Sequence, residues 1–387
     1  MINKNSSSDK DAGKGKILIL YTSVGLGHKY IALNIAYHLE QAGFEIKLAD
    51  VLQVQSGVMV NVGEWFHSLI NTRFPFVWRW LYFSKAFAKV TMPFRVPLAG
   101  KNSEHIQAAV YEFKPDVVIA TQTSASAPMA YMKQHGLFNG KFVIAFSDYH
   151  FHPYWFYKQA DFYLVNIKEQ KDALEKLGIP AEKIAVCGIT LKPHVQVDPN
   201  AVKQKLDLTG RQVVLMSSGS LGIGFSQKLL LDFAKELTTT EPNVQLVVTC
   251  GKNETMKHQL EEEAQKQNLN LTALGFYEPM SELFAITDVF LTKPGGLTVA
   301  EALRDNIKMI TTHFLPGQEE LNYEYLTSRK LMTKIPKPMT AKNLVAETMR
   351  RMSEKIEVEN PNSIEITQKN NEGSALIKSI ENLFHNV

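Results

Sequence analysis

The chain contains little cysteine and no long apolar run, and both absences restrict where it can work. Cys187 and Cys250 are its only cysteines, too few for a disulfide framework, and each ends an apolar run that predicts a buried thiol in a reducing compartment. No window approaches the roughly 20 apolar residues that cross a bilayer. Residues 1–15 form a polar lead-in without the apolar core of a signal peptide. We therefore expect a cytoplasmic protein whose contact with the cytoplasmic face of the membrane is peripheral.

A strong excess of charge is also missing. Lys and Arg number 42 against 39 Asp and Glu, and the formal net charge of +3 is too small to indicate nucleic acid as a partner. With 45% hydrophobic and 21% charged residues, the 387-residue chain has a soluble, globular composition and room for two domains.

Short β-branched runs alternate with helical segments, which predicts an α/β fold with parallel sheets covered by helices. Six strands are expected in an N-terminal domain over residues 16–195. The pattern breaks over residues 196–210, which we interpret as a linker region, and restarts with five strands in a domain over residues 211–350. The tail over residues 351–387 has helical spacing and is expected to pack back onto the body.

The two halves open alike, with an apolar strand, a glycine-containing loop and an amphipathic helix. The first reads ILILYTSVGLGHKYIALNIAYHL and the second VVLMSSGSLGIGFSQKLLLDFAKEL. This weak repeat predicts two Rossmann-like, doubly wound domains that face each other across a cleft. Ligands of such domains bind at the carboxyl ends of the strands.

The densest chemical signal is the segment LTKPGGLTVAEAL. A strand ends at Thr292, and Gly295 and Gly296 let the backbone approach a ligand closely. The helix that follows offers free N–H groups and a positive dipole end to phosphate. Glu301 falls about one helical turn inside, where its carboxylate can accept hydrogen bonds from ribose hydroxyls. A tight turn followed by a solvated glutamate is the alternative.

Three other loops of this half lie at predicted strand ends. The glycines of SSGSLGIG can cradle a pyrophosphate, and GFYEPM places Phe276 where its ring can stack on a base. PGQEELN offers Gln318 and Glu319 to sugar hydroxyls, with Asn322 on the same helix face. Each loop is ordinary alone, but four in one half-domain favour a nucleotide-sugar site.

The run GFYEPMSELFAITDVFLTKPGGLTVAEAL, followed by PGQEELN, resembles the nucleotide-sugar domain of family 28 glycosyltransferases, which have the GT-B fold. That family holds monogalactosyldiacylglycerol synthase, the processive diacylglycerol glucosyltransferases and the peptidoglycan enzyme that adds N-acetylglucosamine to lipid I. The resemblance implies that the chain moves a hexose, glucose or galactose, from a UDP-sugar to diacylglycerol or a related membrane lipid, with inversion.

The same resemblance implies a role for each loop. Phe276 and its loop would hold uracil, Glu301 the ribose, and Ser220 with Gly295 the phosphates, while the Gln-Glu pair of PGQEELN would bind the hexose. The implied UDP-sugar-binding residues are Ser218, Gly219, Ser220, Phe276, Met280, Lys293, Gly295, Gly296, Leu297, Thr298, Glu301, Gln318, Glu319 and Asn322.

The N-terminal half resembles the same enzymes in two segments. YTSVGLGHKYIALNIAYHL is similar to the glycine-histidine loop that opens the galactolipid synthases, and implies that Gly27 lies on the acceptor side. SDYHFHPYWFYKQADFYLV is similar to their Asp…His-Pro-x-Trp-Phe segment and implies the same for His152. The resemblance runs from about Lys16 to Ser328 but has no support between residues 57 and 102. Leu26 departs from the usual glycine or asparagine, and we expect it to narrow the acceptor side.

The first glycine loop also begins like a dinucleotide fingerprint, with Asp50 where a ribose-binding acid would stand. Tyr30 occupies the third glycine position, and it is too large for the close packing of helix on strand that this motif needs. The nicotinamide interpretation is therefore disfavoured.

Transfer with inversion needs a base for the acceptor hydroxyl, and His28 is the candidate because an imidazole titrates near working pH. Asp148 is the rival, either as the base or as the group that orients His28; a capping role at the helix start is the alternative for His28. From Lys16 onward no Asp-x-Asp pair occurs, and His150 with His152 lacks a fourth ligand. We expect no metal and no cofactor, the UDP-sugar being a co-substrate.

Residues 57–98 combine aromatic rings and basic side chains with a single acid, Glu64. Trp65, Trp78, Trp80 and Arg79 are typical of the boundary of an anionic bilayer, where rings lie at headgroup level and cations meet lipid phosphate. An insertion whose aromatics pack on the domain is the alternative.

Three other functions remain open from the sequence alone. The phosphate loops would serve a UDP-N-acetylglucosamine-dependent transferase to another lipid equally well. A UDP-sugar epimerase has the same two-domain shape, although a soluble sugar needs no bilayer surface. A non-catalytic UDP-sugar sensor would need only the donor loops.

Overall fold

The structure is a computed structural model that describes residues 14–22, 26–51, 74–100, 103–217, 219–220, 222, 224–354 and 373–385. The chain divides into two compact units. Unit 1 comprises Met1–Lys192 and Asn370–Val387, and unit 2 comprises Pro193–Lys369. The polar lead-in up to residue 13 and residues 355–372 of the predicted tail lie outside the described residues.

Unit 1 contains a six-stranded parallel sheet in the order β2-β1-β3-β4-β5-β6. Its strands are β1 (Lys16–Tyr21), β2 (Glu45–Asp50), β3 (Val117–Ala120), β4 (Lys141–Ala145), β5 (Phe162–Val165) and β6 (Ile184–Val186). Its first six α-helices are α1 (Leu26–Gln41), α2 (Pro75–Phe83), α3 (Lys85–Gly100), α4 (Glu104–Phe113), α5 (Thr123–Gln134) and α6 (Lys168–Lys176). The interior strands β3 and β5 are buried along their whole length, because helices cover both faces of a parallel sheet.

Unit 2 repeats this plan with a parallel sheet in the order β12-β11-β10-β7-β8-β9. Its strands are β7 (Gln212–Ser217), β8 (Val244–Thr249), β9 (Leu271–Leu274), β10 (Val289–Thr292), β11 (Lys308–Thr311) and β12 (Met332–Thr333). Its helices are α7 (Pro199–Lys205), α8 (Gln227–Thr240), α9 (Glu254–Gln267), α10 (Met280–Ile286), α11 (Gly296–Arg304), α12 (Gln318–Ser328) and α13 (Ala341–Ser353). The prediction of two doubly wound α/β domains is confirmed.

The stretch predicted as a linker, residues 196–210, contains helix α7 and belongs to unit 2. Asp198 caps the helix by accepting from the Asn200 N–H at 3.0 Å, and Val202 is buried. Lys205 pairs with Glu282 of α10 at 2.9 Å. The sequence interpretation took Pro199 as a break, whereas proline is favoured in the first turn of a helix.

Helix α14 (Ser374–His385) packs on unit 1, as predicted for the C-terminal tail. Leu376 and Ile380 are buried, and the Phe384 ring lies 5.2 Å from that of Phe44. Within the part of the chain that the structure describes, no helix is both long and apolar enough to cross a membrane.

Candidate active site

The predicted donor loops gather at one edge of the unit 2 sheet, because β11, β10, β7, β8 and β9 are parallel neighbours. The Thr312 N–H donates to the Thr292 carbonyl at 3.2 Å, which joins the loop after β11 to the loop after β10. The Thr292 hydroxyl donates to the Ser217 carbonyl at 3.3 Å, which adds the loop after β7. Ser218 lies outside the described residues.

Lys293 and Glu319 form an ion pair at this edge, with 2.6 Å between Nζ and Oε1. The other carboxylate oxygen of Glu319 accepts from the Leu315 N–H at 2.8 Å, so the side chain is fixed. A methyl group on Gly219 would lie 3.3 Å from Cε of Lys293. Three residues predicted to bind the UDP-sugar, each from a different loop, therefore lie close together. Gln318 begins α12 beside them and is half-buried.

The Pro-Gly-Gly turn leads into α11, whose first turn contains Leu297 and Thr298. The Gly295 N–H donates to the Lys293 carbonyl at 2.8 Å, and Gly296 is buried at the helix start. A Cβ added to Gly295 would meet nothing within 4 Å, so space lies beside this backbone. The N–H groups at the helix start therefore border open space, and anion binding there stays a prediction.

Asn322 has a different position from the one predicted. Its side chain is fully buried, and Nδ2 donates to the Pro294 carbonyl at 3.1 Å. It therefore ties α12 to the Pro-Gly-Gly turn from behind, and we assign it to positioning that turn. Glu320, which the sequence interpretation did not single out, is buried and accepts from the Gly317 N–H at 3.4 Å.

Glu301 is half-buried in α11, and its carboxyl is unusual. Burial raises its pKa from 4.5 to about 7; Arg304 opposes this shift, while the charges of Asp305 and Glu278 add to it. Hydrogen-bond donors stabilise the ionised form of such a carboxyl. The side chain is therefore suited to accept hydrogen bonds from ribose hydroxyls. Phe276, 45% exposed after β9, offers a ring face, and Met280 begins α10 close by in sequence.

His313 is a residue of this edge that the sequence interpretation missed. Its Nδ1 lies 3.1 Å from the Thr312 hydroxyl, and its ring packs edge-on against Phe225 at 4.8 Å. Burial lowers its pKa; the Glu319 charge raises it and Lys293 lowers it. A histidine two residues beyond a strand that ends among phosphate loops was the available signal.

Two glycines of the loop after β7 are required by their surroundings. Gly222 has φ +63°, and a Cβ there would overlap the Cys250 carbonyl. Gly224 has φ +136°, and a Cβ there would overlap the imidazole of His313. The Ser220 carbonyl accepts from the Lys252 N–H at 2.9 Å, so the loop is held against the turn after β8.

In unit 1, His28 lies in the first turn of α1, next to the exposed Gly27. Its Nδ1 is 3.1 Å from the Thr121 carbonyl. A carbonyl only accepts, so Nδ1 carries the proton and Nε2 keeps its lone pair. Burial lowers the pKa of His28, while the charge of Asp148 and the Thr121 carbonyl raise it. The residue is therefore a neutral imidazole with Nε2 in the basic form.

Asp148 is buried just after β4 and held from several sides. The Ser147 hydroxyl donates to its Oδ2 at 2.8 Å, and its main-chain carbonyl accepts from Asn166 at 2.9 Å and from Gln170 at 2.7 Å. Its charge raises the pKa of His28, whereas the hydrogen-bond partner of the His28 ring is the Thr121 carbonyl. Thr121, Ser147, Asn166 and Gln170 were not found from the sequence.

His152 does not extend into open space. Its Nδ1 accepts from the Tyr154 N–H at 3.3 Å, and its Nε2 donates to the Tyr82 carbonyl at 3.0 Å. Burial lowers its pKa to about 4, so it is neutral. Nε2 of His150 lies 3.2 Å from the Tyr82 hydroxyl. Among the described residues, no group of three or more His, Cys, Asp and Glu side chains could hold a metal ion.

The aromatic-basic segment forms α2 and α3 in its described part, and Trp65 lies outside that part. Seven of the thirteen large, exposed hydrophobic side chains of the described residues lie here. They are Phe74, Phe76, Trp80, Phe83, Val90, Phe94 and Leu98. The Trp78 ring instead packs against the Tyr82 ring, with 6.0 Å between their centroids. The Arg79 guanidinium lies 5.3 Å from the centre of the Phe83 ring.

Comparison with known families gives the same two halves. The model of monogalactosyldiacylglycerol (MGDG) synthase matches residues 38–191, and the model of the glycosyltransferase family 28 C-terminal domain matches residues 213–379. The chain belongs to the glycosyltransferase family that these two models describe. A processive diacylglycerol beta-glucosyltransferase of Bacillus cytotoxicus is 27% identical over 81% of this chain and 80% of its own length. Another, from Bacillus cereus, is 28% identical over 80% and 79%.

Solved structures support the GT-B fold of this glycosyltransferase. The kitacinnamycin glycosyltransferase covers 96% of the chain and 99% of its own with a TM-score of 0.64 at 14% identity. MurG of Acinetobacter baumannii covers 96% and 100% with a TM-score of 0.58 at 15% identity. A UDP-GlcNAc 2-epimerase from Neisseria meningitidis, bound to UDP-GlcNAc, covers 96% and 100% with a TM-score of 0.56 at 14% identity. Epimerases share the fold, so the family match is what assigns the chain to transferases.

Proposed function

We propose that this glycosyltransferase moves glucose from UDP-glucose to the free hydroxyl of diacylglycerol, with inversion at the anomeric carbon. The observation that carries the proposal is the bond between Nδ1 of His28 and the Thr121 carbonyl, which leaves Nε2 free to take a proton. The donor loops supply the complementary chemistry. Glucose is proposed, rather than galactose, because the curated relatives are named glucosyltransferases.

In the proposed reaction, the acceptor hydroxyl gives its proton to Nε2 of His28 as its oxygen attacks the anomeric carbon. The bond from that carbon to the UDP oxygen breaks on the opposite face, which inverts the configuration. Negative charge that develops on the pyrophosphate meets the N–H groups at the start of α11, next to Gly295. Asp148 stabilises the imidazolium that forms, because its charge already raises the pKa of His28.

We further propose that α2 and α3 contact an anionic bilayer on the cytoplasmic face of the membrane. Phe76, Trp80 and Phe94 are 69%, 66% and 61% exposed. Lys85 and Lys89 are exposed among them, and residues 74–100 contain no acid. Exposed rings with cations and without acids match a surface of lipid headgroups that carries phosphate.

Release of UDP is the direct test, measured with diacylglycerol in anionic vesicles and with UDP-glucose, UDP-galactose or UDP-N-acetylglucosamine. We expect turnover with UDP-glucose and a β-linked product from the α-linked donor. His28→Ala should reduce turnover by about a thousandfold and leave UDP affinity unchanged, since a general base contributes roughly 10²–10⁴-fold. His135→Ala is the matched control, because Nδ1 of this exposed histidine also bonds a carbonyl, that of Tyr131 at 2.9 Å.

Three results would contradict parts of this proposal. UDP-glucose binding without turnover on any lipid would favour the non-catalytic sensor. Conversion of a UDP-sugar into its epimer without an acceptor would favour an epimerase. Loss of UDP affinity in His28→Ala would show that this histidine serves the donor and not the acceptor.

A further inference from the structure

Tyr82, at the end of α2, makes three contacts with the segment that follows Asp148. Its ring stacks on the His152 ring with 4.1 Å between centroids. Its carbonyl accepts from Nε2 of His152 at 3.0 Å, and its hydroxyl lies 3.2 Å from Nε2 of His150. Burial raises the pKa of the Tyr82 phenol, and the charge of Asp148 adds to this shift.

Arg95 of α3 holds the other end of the same segment. Its guanidinium lies 3.8 Å from the centre of the Tyr157 ring. It donates to the Tyr154 carbonyl at 2.9 Å and to the Phe156 carbonyl. A planar guanidinium can satisfy two carbonyls and an aromatic face at once, which a lysine cannot do.

The segment that Tyr82 and Arg95 hold also lies next to His28, the proposed base. It begins with Asp148 and contains Trp155, which is buried with its ring 6.4 Å from that of His28. On its far side Gln170 donates to the carbonyls of Asp148 and His150, both at 2.7 Å. The segment is therefore fixed between α6 and the α2–α3 pair.

The inward and outward faces of α2 are set by helical spacing. Trp80 and Tyr82 are two residues apart, about 200° around the helix, so they point to opposite sides. Trp80 is exposed, while Tyr82 contacts the segment after Asp148. Tyr82 therefore connects a helix with an exposed aromatic face to the segment after Asp148.

We propose that Tyr82 and Arg95 are positioning residues that couple lipid docking of α2 and α3 to the placement of Asp148 and Trp155 beside His28. This inference rests on the proposed function. The coupling makes turnover depend on whether the acceptor is presented in a bilayer, and not only on its concentration.

The kinetic test compares turnover on diacylglycerol in anionic vesicles with turnover on a short-chain diacylglycerol dissolved as monomers. We expect the vesicle-to-monomer ratio to fall by about tenfold in Tyr82→Phe and in Arg95→Gln, as when a positioning contact is lost. Vesicle sedimentation and the KM for UDP-glucose should stay unchanged, and Arg95→Lys should recover only part of the ratio. Tyr111→Phe, an exposed tyrosine on α4, is the matched control.

A spectroscopic test works even if no turnover is found. Changing Trp65, Trp78 and Trp80 to Phe leaves Trp155 as the only tryptophan. Anionic vesicles should then shift the emission of Trp155, and adding Tyr82→Phe together with Arg95→Gln should abolish the shift. Unchanged kinetic ratios together with the same shift in both backgrounds would overturn the coupling. A shift without turnover would overturn the proposed reaction alone.

Discussion

Changing Glu301 to glutamine is expected to remove a pH dependence from UDP binding. The pKa of this half-buried carboxyl is raised to about 7, chiefly by burial. If the carboxylate accepts hydrogen bonds from the ribose, binding favours its ionised form, and the affinity of the wild-type protein rises with pH. Glutamine also accepts hydrogen bonds but does not titrate, so the variant should lose this dependence.

The size of the effect follows from the pKa. With a value of about 7, roughly one carboxyl in eleven is ionised at pH 6 and roughly ten in eleven at pH 8. If only the ionised form binds UDP tightly, the affinity changes by about tenfold over this range, or about 1.4 kcal/mol. Without ligand, the raised pKa has the opposite consequence for stability. The unfolded carboxyl ionises first, so stability should fall by at most about 3 kcal/mol as the pH rises from 4.5 to about 7.

Calorimetric titration with UDP at pH 6, 7 and 8, in two buffers of different ionisation enthalpy, measures both the affinity and the protons released. The phosphate of UDP titrates too, but it does so for every variant, so the ratio of wild type to Glu301→Gln isolates the carboxyl. Glu262→Gln, on the exposed face of α9, is the control and should behave as wild type. Parallel pH profiles for wild type and Glu301→Gln would refute the assignment of this carboxylate to the ribose.

Four further outcomes are expected. Asp148→Asn should move the acidic limb of the kcat–pH profile to lower pH, because the Asp148 charge raises the pKa of His28; a shift to higher pH would contradict this role. Gly295→Ala should keep the thermal midpoint and weaken UDP binding in calorimetry, since space lies beside this residue. Gly224→Ala should lower stability to denaturant by about 1–3 kcal/mol, because its φ is +136° and a methyl would overlap an imidazole. Phe384→Ala should cost about 1 kcal/mol or more in the same measurement through a lost ring contact at 5.2 Å; unchanged unfolding would contradict it.

The strands were predictable because parallel strands buried on both faces read as short apolar runs. Strand β12 was missed since Met332 and Thr333 are too few residues to form a pattern. Helix α7 was missed because Pro199 was taken as a break. The loops at the strand ends were predictable because glycine turns are local in sequence, whereas His313 lies between the end of its strand and the motif PGQEELN and belongs to neither pattern.

The rest of the site depends on contacts between distant parts of the chain. The acceptor that orients His28 is the backbone carbonyl of Thr121, 93 residues away, and no residue type marks it. Burial decides the pKa of Glu301, and burial is a property of the folded unit. Tyr82 lies in a segment where the sequence analysis found no motif, so its contact with His152 was found only from the structure.

Helix α14 affects the order in which the two units can complete their folding during synthesis. Unit 1 contains both Met1–Lys192 and Asn370–Val387, whereas unit 2 is one continuous stretch, Pro193–Lys369. A ribosome therefore releases all of unit 2 before the part of the chain that supplies Leu376 and Ile380 to the core of unit 1. The earlier part of unit 1 therefore stays incompletely buried until α14 has been synthesised. Expression of unit 1 alone would need the C-terminal helix joined back to it.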